Sequence, residues 1–173
     1  MQLQMPTISQ MNANATHCGV LAAMIAKTTG AVIEFGAGHY STPILHYMCK
    51  AMGRPATSVE TNRQWMDYFK HFESEHHSFV CTNNRLISDH FVETVPEGAM
   101  WDVAFVDNGP ETDRPKCVEI LRNYAKFIVI HDSEPQAVAY NWGGIFDTFK
   151  HKFYWDFYGN GTTVVSDVEE IGL

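Results

Sequence analysis

Two apolar runs close on residues that can move protons or bind oxygen. WDVAFVD ends in Asp107, followed by Asn108, and IVIHD ends in His131 and Asp132. Imidazole titrates near neutrality, so His131 suits a general base, with Asp107 or Asp132 either serving as base or orienting the histidine. A third run, AVIEFGAGHYSTP over 31–43, passes from a strand through glycines into a helix. Ala31, Val32, Ile33 and Phe35 supply the strand, Gly36 and Gly38 let the backbone turn and approach a ligand, and Ser41 or Thr42 caps the helix before Pro43. ATSVE, 56–60, then ends in Glu60, at about the 20–25 residue offset at which a carboxylate accepts a ribose diol. A glycine turn followed by such an acid is how a nucleotide-like cofactor is held.

These groups need a scaffold that brings strand ends together. The apolar runs 31–35, 56–60, 78–82, 102–107 and 127–132 are short, β-branched or aromatic, and continuous. Continuous runs suit strands buried on both faces, as in a parallel sheet. Helical patterns separate them over Pro43 to Met52, Asn62 to Phe72, Leu86 to Val95, Arg114 to Ala125 and Pro135 to Lys150. A first helix precedes them, from about Asn14 to Lys27, with Val20, Leu21, Met24 and Ile25 at helical spacing and Gly30 near its stop. The rhythm breaks at the end, where FYWDFY (153–158) and TTVVSD (162–167) flank the turn GNG (159–161). The pattern predicts an α/β three-layer sandwich whose mostly parallel sheet ends in an antiparallel hairpin. In an open sheet of this kind the ligand lies beyond the carboxyl ends of the strands, which gathers Asp107, Asn108, His131 and Asp132.

Size and charge limit the choices. The 173 residues allow one domain over 1–173, with 1–30 as a helical lead. Hydrophobic residues at 45% with charged residues at 18% predict a globular chain. Twenty acidic against twelve basic residues give a net charge of −8, which argues against nucleic acid and for a small-molecule substrate. Cys18, Cys49, Cys81 and Cys117 form no C-x-x-C pair and read as free thiols in a reducing compartment. No run of eighteen apolar residues occurs, and MQLQMPTISQ has neither the basic region nor the apolar stretch of a signal peptide, so a cytoplasmic protein without a membrane segment is expected.

EFGAG (34–38), SVE (58–60), WDVAFVDNGP (101–110) and IVIHD (128–132), in that order, resemble a class I S-adenosylmethionine-dependent methyltransferase. The closer resemblance is to a small-molecule or sugar O-methyltransferase branch, and it spans roughly Val32 to Asp167. It implies a Rossmann-like, seven-stranded fold and S-adenosylmethionine as cofactor. It places Glu34 near the methionine amino group, with Phe35, Gly36, Ala37, Gly38, Tyr40, Ser41 and Thr42 around that moiety. Glu60 and Thr61 fall to the ribose, Asn83 or Asn84 of TNNR to the adenine edge, and Asp107 and Asn108 to the far side of the cofactor. Ser41 stands where a dinucleotide fingerprint has its third glycine, which separates the chain from nicotinamide enzymes. Methyl transfer from a sulfonium is an in-line displacement that needs alignment and, for some acceptors, a base such as Asp107, His131 or Asp132. The metal-dependent O-methyltransferases that this region also resembles would make Asp107 and Asp132 ligands for Mg²⁺. Ser133 occupies the place where those relatives carry a further acid or amide.

Plainer roles compete residue by residue. Asp132, before Ser133 and Pro135, fits a helix N-cap; HFESEHH (71–77) reads as a solvated loop; Arg114 reads as a surface residue or as a clamp for an acidic substrate group. Gly143 and Gly144, beside Tyr140, Asn141 and Trp142, mark a flexible aromatic wall or a tight packing point. Tyr154 and Trp155 suit either the core or a homodimer contact. Two further functions compete with methyl transfer, namely a lyase or aminopropyl transferase using the same pocket and a non-catalytic cofactor-binding partner subunit.

Overall fold

Apolar residues that alternate between the two faces of a strand yield a continuous run only when both faces are covered; four of the five expected runs are covered in this way, whereas the run over 78–82 falls on a sheet edge with Ser78 and Val80 exposed. The computed structural model describes residues 14–157 and 160–173. Its strands are β1 (Val32–Phe35), β2 (Ala56–Glu60), β3 (His77–Cys81), β4 (Trp101–Val106), β5 (Ala125–His131), β6 (His151–Phe157) and β7 (Asn160–Ser166). They form one sheet in the order β3-β2-β1-β4-β5-β7-β6. The first five are parallel, and β7 runs antiparallel between β5 and β6. The helices are α1 (Cys18–Lys27), α2 (Ser41–Ala51), α3 (Arg63–Phe69), α4 (Ile87–Thr94) and α5 (Arg114–Leu121). The Rossmann-like fold expected from the sequence is the one observed.

On one face Ile33, Phe35, Ala104, Val106, Ile128 and Ile130 pack against Ile87 and Phe91 of α4 and Cys117, Val118 and Leu121 of α5. On the other, Val32, Val103, Phe105, Phe127 and Val129 meet Val20, Leu21, Met24 and Ile25 of α1 and Leu45 and Cys49 of α2. Each such large side chain contributes about 1.5–3 kcal/mol by leaving water. The strand order reverses between β1 and β4, which opens a crevice at their carboxyl ends.

Several local expectations are corrected. The helix expected over Pro135 to Lys150 is replaced by 3₁₀ turns at Val138–Tyr140 and Ile145–Thr148. Asn141, Gly143 and Gly144 adopt positive φ there, Asn141 ending the first turn and Gly144 leading into the second. Asp132 itself has φ +51° and caps no helix. Neither Ser41 nor Thr42 caps α2, which begins at Ser41 after an uncapped Tyr40; the Thr42 hydroxyl instead accepts from Gly38 N at 2.9 Å and donates to Glu34 at 2.6 Å. His77 is no loop residue: it opens β3 in register with Ala56 and is 1% exposed, its Nε2 2.7 Å from the Ser58 hydroxyl. All four cysteines are free, Cys49 and Cys117 buried and Cys18 and Cys81 half-buried. Tyr154 and Trp155 lie exposed on β6. Residues 1–13 of the lead and the hairpin positions 158–159 lie outside the described residues.

Candidate functional site

The carboxyl ends of β1, β2, β4 and β5 surround one open cavity of about 540 Å³, within the range of pockets that hold small ligands. Gly36, Ala37, Gly38, Tyr40 and Ser41 form one side, and Glu60 and Thr61 a second. Asp107, His131 and Asp132 close the third. Sequence reasoning thus named residues from four strand ends that the fold brings together.

The glycine turn is held by its neighbours. Gly36 has φ +92°, and a Cβ there would lie 2.6 Å from the Asp107 carbonyl oxygen and 2.8 Å from Asn108 Cα. Its N–H donates to Val59 O at 2.8 Å, while Asp107 N donates to Phe35 O at 2.9 Å. Glu60, 7% exposed, clasps the same turn. Its Oε2 accepts from Ala37 N at 3.1 Å, and its Oε1 from Thr61 N at 2.7 Å and Asn62 N at 2.9 Å. An ionised carboxylate has about four acceptor positions, so Oε2 keeps capacity toward the cavity.

Other expected contacts do not reach the cavity. Glu34 is fully buried beneath the turn, bonded to the hydroxyls of Thr42 and Ser58. Phe35 and Thr42 are buried with it. Asn108 is buried, its amide donating to Asp113 at 3.1 Å. Asn83 and Asn84 sit exposed at positive φ after β3 and do not line the cavity.

Burial pushes the Glu34 carboxyl up to about 7, against hydrogen bonds from Ser58, Thr42 and Ser41 that favour its ionised form. Its Oε2 has no partner, which suits an uncharged acid. A carboxyl raised in the fold from its usual 4.5 stabilises fully below that value and loses the contribution as pH rises through about 7. The gap corresponds to about 3 kcal/mol. Glu34→Gln, which cannot ionise, should therefore gain about 2–3 kcal/mol relative to the parent between pH 5 and pH 8 in urea melts. A difference that does not change with pH would contradict the assignment.

The third side of the cavity is a charged cluster. Arg114, read from the sequence as a surface residue or a clamp for an acidic substrate group, is 6% exposed and so is not at the surface. Its guanidinium lies 2.9 Å from Asp107 Oδ1 and 3.1 Å from Asp132 Oδ2, donates to Asn108 O at 2.8 Å and packs over Tyr140 at 4.7 Å. Asp132 also accepts from the Tyr140 hydroxyl and the Asn160 amide, each at 2.9 Å. His131 Nδ1 lies 3.3 Å from Asp107 Oδ1, and its Nε2 is 3.1 Å from the Thr16 hydroxyl. Burial would raise the Asp107 carboxyl, but His131, Arg114 and His17 together hold it below the usual range. Burial likewise opposes protonation of His131, yet Asp107 and Asp132 carry it above the usual imidazole value.

Asp107 and Asp132 do not fit Mg²⁺. One guanidinium already bridges both carboxylates, further Asp132 acceptor positions are taken, and the Ser133 hydroxyl accepts from Thr163 at 2.8 Å. Of the two readings of the Gly143 segment, an aromatic wall is present but not over the site: Tyr140 and Trp142 stack at 5.6 Å and, with Gly143, Arg122 and Phe149, line a separate cavity.

The sequence reading missed His17, His39, Asn62 and Trp65, all of which line the site cavity. Trp65 donates its indole N–H to Ala37 O at 2.7 Å, and His39 packs edge-on to it at 5.2 Å. The spacing of Trp65, Tyr68 and Phe69 marks one helix face. His17 precedes Val20, Leu21 and Met24 at the same spacing, so it belongs to the buried face of the lead. It is 2% exposed, its ring 4.7 Å from that of Phe105 and 4.5 Å from that of His131. Burial, then the charge of His131, lowers it to about 4.

No protein-family model matches the chain, and no curated protein matches it. Solved structures do. The METTL16 methyltransferase domain aligns over 96% of this chain and 71% of its own, with TM-score 0.68 and 13% identity. An O-methyltransferase from Bacillus cereus, in complex with S-adenosylhomocysteine, aligns over 95% and 93%, with TM-score 0.65 and 12% identity. TomG, an O-methyltransferase of Streptomyces achromogenes involved in tomaymycin synthesis and solved with S-adenosylmethionine, aligns over 95% and 92%, with TM-score 0.63 and 13% identity. The chain therefore has the class I S-adenosylmethionine-dependent methyltransferase fold. Among the described residues no helix is long and apolar enough to cross a membrane.

Proposed function

We propose that the chain transfers a methyl group from S-adenosylmethionine to a small-molecule acceptor, at an oxygen. One observation carries this reading: the glycine turn, Glu60 and the Asp107–His131 pair open on a single cavity, so that donor and acceptor sides face each other. Glu60 Oε2 would accept the ribose hydroxyls, the turn from Gly36 to Gly38 would back the methionine portion, and Trp65 would flank the opening. When bound, the cofactor supplies an electrophilic sulfonium methyl. The protein then has to align the acceptor and exclude water. Asp107, with 24% of its side chain exposed, presents its carboxylate to the cavity beside His131, and one of the two would take up the proton that an acceptor hydroxyl releases. The net charge of −8 and the modest cavity support a small acceptor over a polyanion.

Thermal melting tests the cofactor. S-adenosylhomocysteine at a hundredfold over its Kd should add about 2.7 kcal/mol of stability, and NAD should add none. Hydrogen bonds to a charged group are worth about 1.5–3 kcal/mol, so Glu60→Ala should weaken S-adenosylhomocysteine binding by about tenfold to a hundredfold in calorimetry. Stabilisation by NAD alone, or unchanged affinity in the variant, would overturn the assignment.

A further inference from the structure

We propose that His17, Asp107 and His131 form a binding site for a divalent transition-metal ion in the wall of the cavity. Each side chain offers one ligand atom, and the three atoms lie within 4.8 Å of one another. A point can then be found within about 2.8 Å of all three, so bonds of about 2.1 Å require each side chain to move by less than about 1 Å.

His17 supplies the independent observation. It lines the cavity at 2% exposure, yet neither ring nitrogen has a hydrogen-bond partner. A neutral imidazole carries one N–H and one lone pair, and a buried polar atom without a partner is costly. A cation would engage the lone pair. His131 Nδ1 is also without a hydrogen-bond partner, although it lies 3.3 Å from Asp107 Oδ1.

The surroundings are those of a braced ligand set. With Nδ1 as ligand, the His131 Nε2–H would donate to the Thr16 hydroxyl at 3.1 Å, with Asp132 Oδ1 at 3.6 Å. Such outer contacts fix the orientation of ligating histidines. Arg114 and His131 Nδ1 both approach Asp107 Oδ1, and because a carboxylate offers about four acceptor positions, one metal bond to Asp107 is compatible with that ion pair. With neutral imidazoles, two carboxylates and one guanidinium leave the cluster at one negative charge, which favours a cation.

The donor set selects the metal. Two imidazoles and one carboxylate suit zinc, iron, cobalt or nickel, whereas Mg²⁺ and Ca²⁺ demand oxygen. Three protein ligands leave positions open toward the cavity, where an acceptor oxygen would bind. This goes beyond the proposed methyl transfer and does not depend on it.

Cobalt(II) is the probe. The untagged full chain, stripped with a chelator, should take up one Co²⁺ with visible ligand-field bands, and Zn²⁺ but not millimolar Mg²⁺ should displace it. His17→Gln should weaken Co²⁺ binding by at least about tenfold, while His71→Gln, at an exposed histidine, should leave it unchanged. Circular dichroism checks each fold, and His131→Gln reads the same loss should His17→Gln not fold. Absence of saturable binding, equal affinity in His17→Gln, or displacement by Mg²⁺ would overturn the proposal. A melt with S-adenosylhomocysteine on the same metal-free protein separates the two readings. Cobalt binding without stabilisation removes the cofactor and keeps the metal, and the converse result does the reverse.

Discussion

Gly36→Ala should destabilise the chain by about 3–5 kcal/mol, a large part of a typical domain stability of about 5–15 kcal/mol. The new Cβ would meet the Asp107 carbonyl oxygen at 2.6 Å and Asn108 Cα at 2.8 Å. Both are backbone atoms. They cannot swing aside, because Gly36 N is bonded to Val59 and Asp107 N to Phe35. The positive φ of +92° adds conformational strain. Gly38→Ala is the control, since its φ is not positive and its Cβ would meet only the Ser41 hydroxyl at 3.2 Å, a single side-chain atom that has to give by a few tenths of an ångström and not a fixed backbone. Urea denaturation should place it within about 1 kcal/mol of the parent. Equal losses in the two variants would contradict the packing argument.

Arg114→Ala should cost about 3–5 kcal/mol as well, through a different route. The guanidinium is the shared partner of Asp107 and Asp132 and also donates to the carbonyls of Asn108 and His131. Its removal leaves the two carboxylates without the guanidinium between them, with His131, among the described residues, as the one cationic partner near both, together with an unpaired buried carbonyl at Asn108. Arg114→Lys keeps the charge but lacks the planar fork that serves both acids, so it should recover only part of the loss. Chemical denaturation of the three proteins gives the ranking, and a lysine variant as stable as the parent would show that charge alone suffices.

Much of this scaffold was legible because burial on both faces leaves an unbroken apolar run, as in Val103 to Val106 or Phe127 to Ile130. The turn at Gly36 and the acid at position 60 were legible because few residue types serve a sharp bend or end an apolar strand in a charge. The terminal hairpin announced itself through the change of rhythm after Lys152. The rest depended on partners distant in the chain. Arg114 looks like any charged residue at a helix start, and only the parallel pairing of β4 with β5 brings Asp107 and Asp132 to its two sides. His17 occupies an apolar helix face where periodicity sees a position but not a neighbour, and the neighbour, His131, lies more than a hundred residues on. The segment from Pro135 to Lys150 carried enough apolar residues to suggest a helix, and the left-handed turns at Asn141, Gly143 and Gly144 outweighed them.

Because Gly36 seats directly on the backbone of Asp107 and Asn108, with no side chain between, the loop that would cradle the donor and the strand end that would meet the acceptor behave as one rigid block. A displacement of either by an arriving molecule is transmitted to the other through main-chain contact. The two main-chain bonds that flank this seat, Gly36 N to Val59 O and Asp107 N to Phe35 O, are the route such a displacement would take.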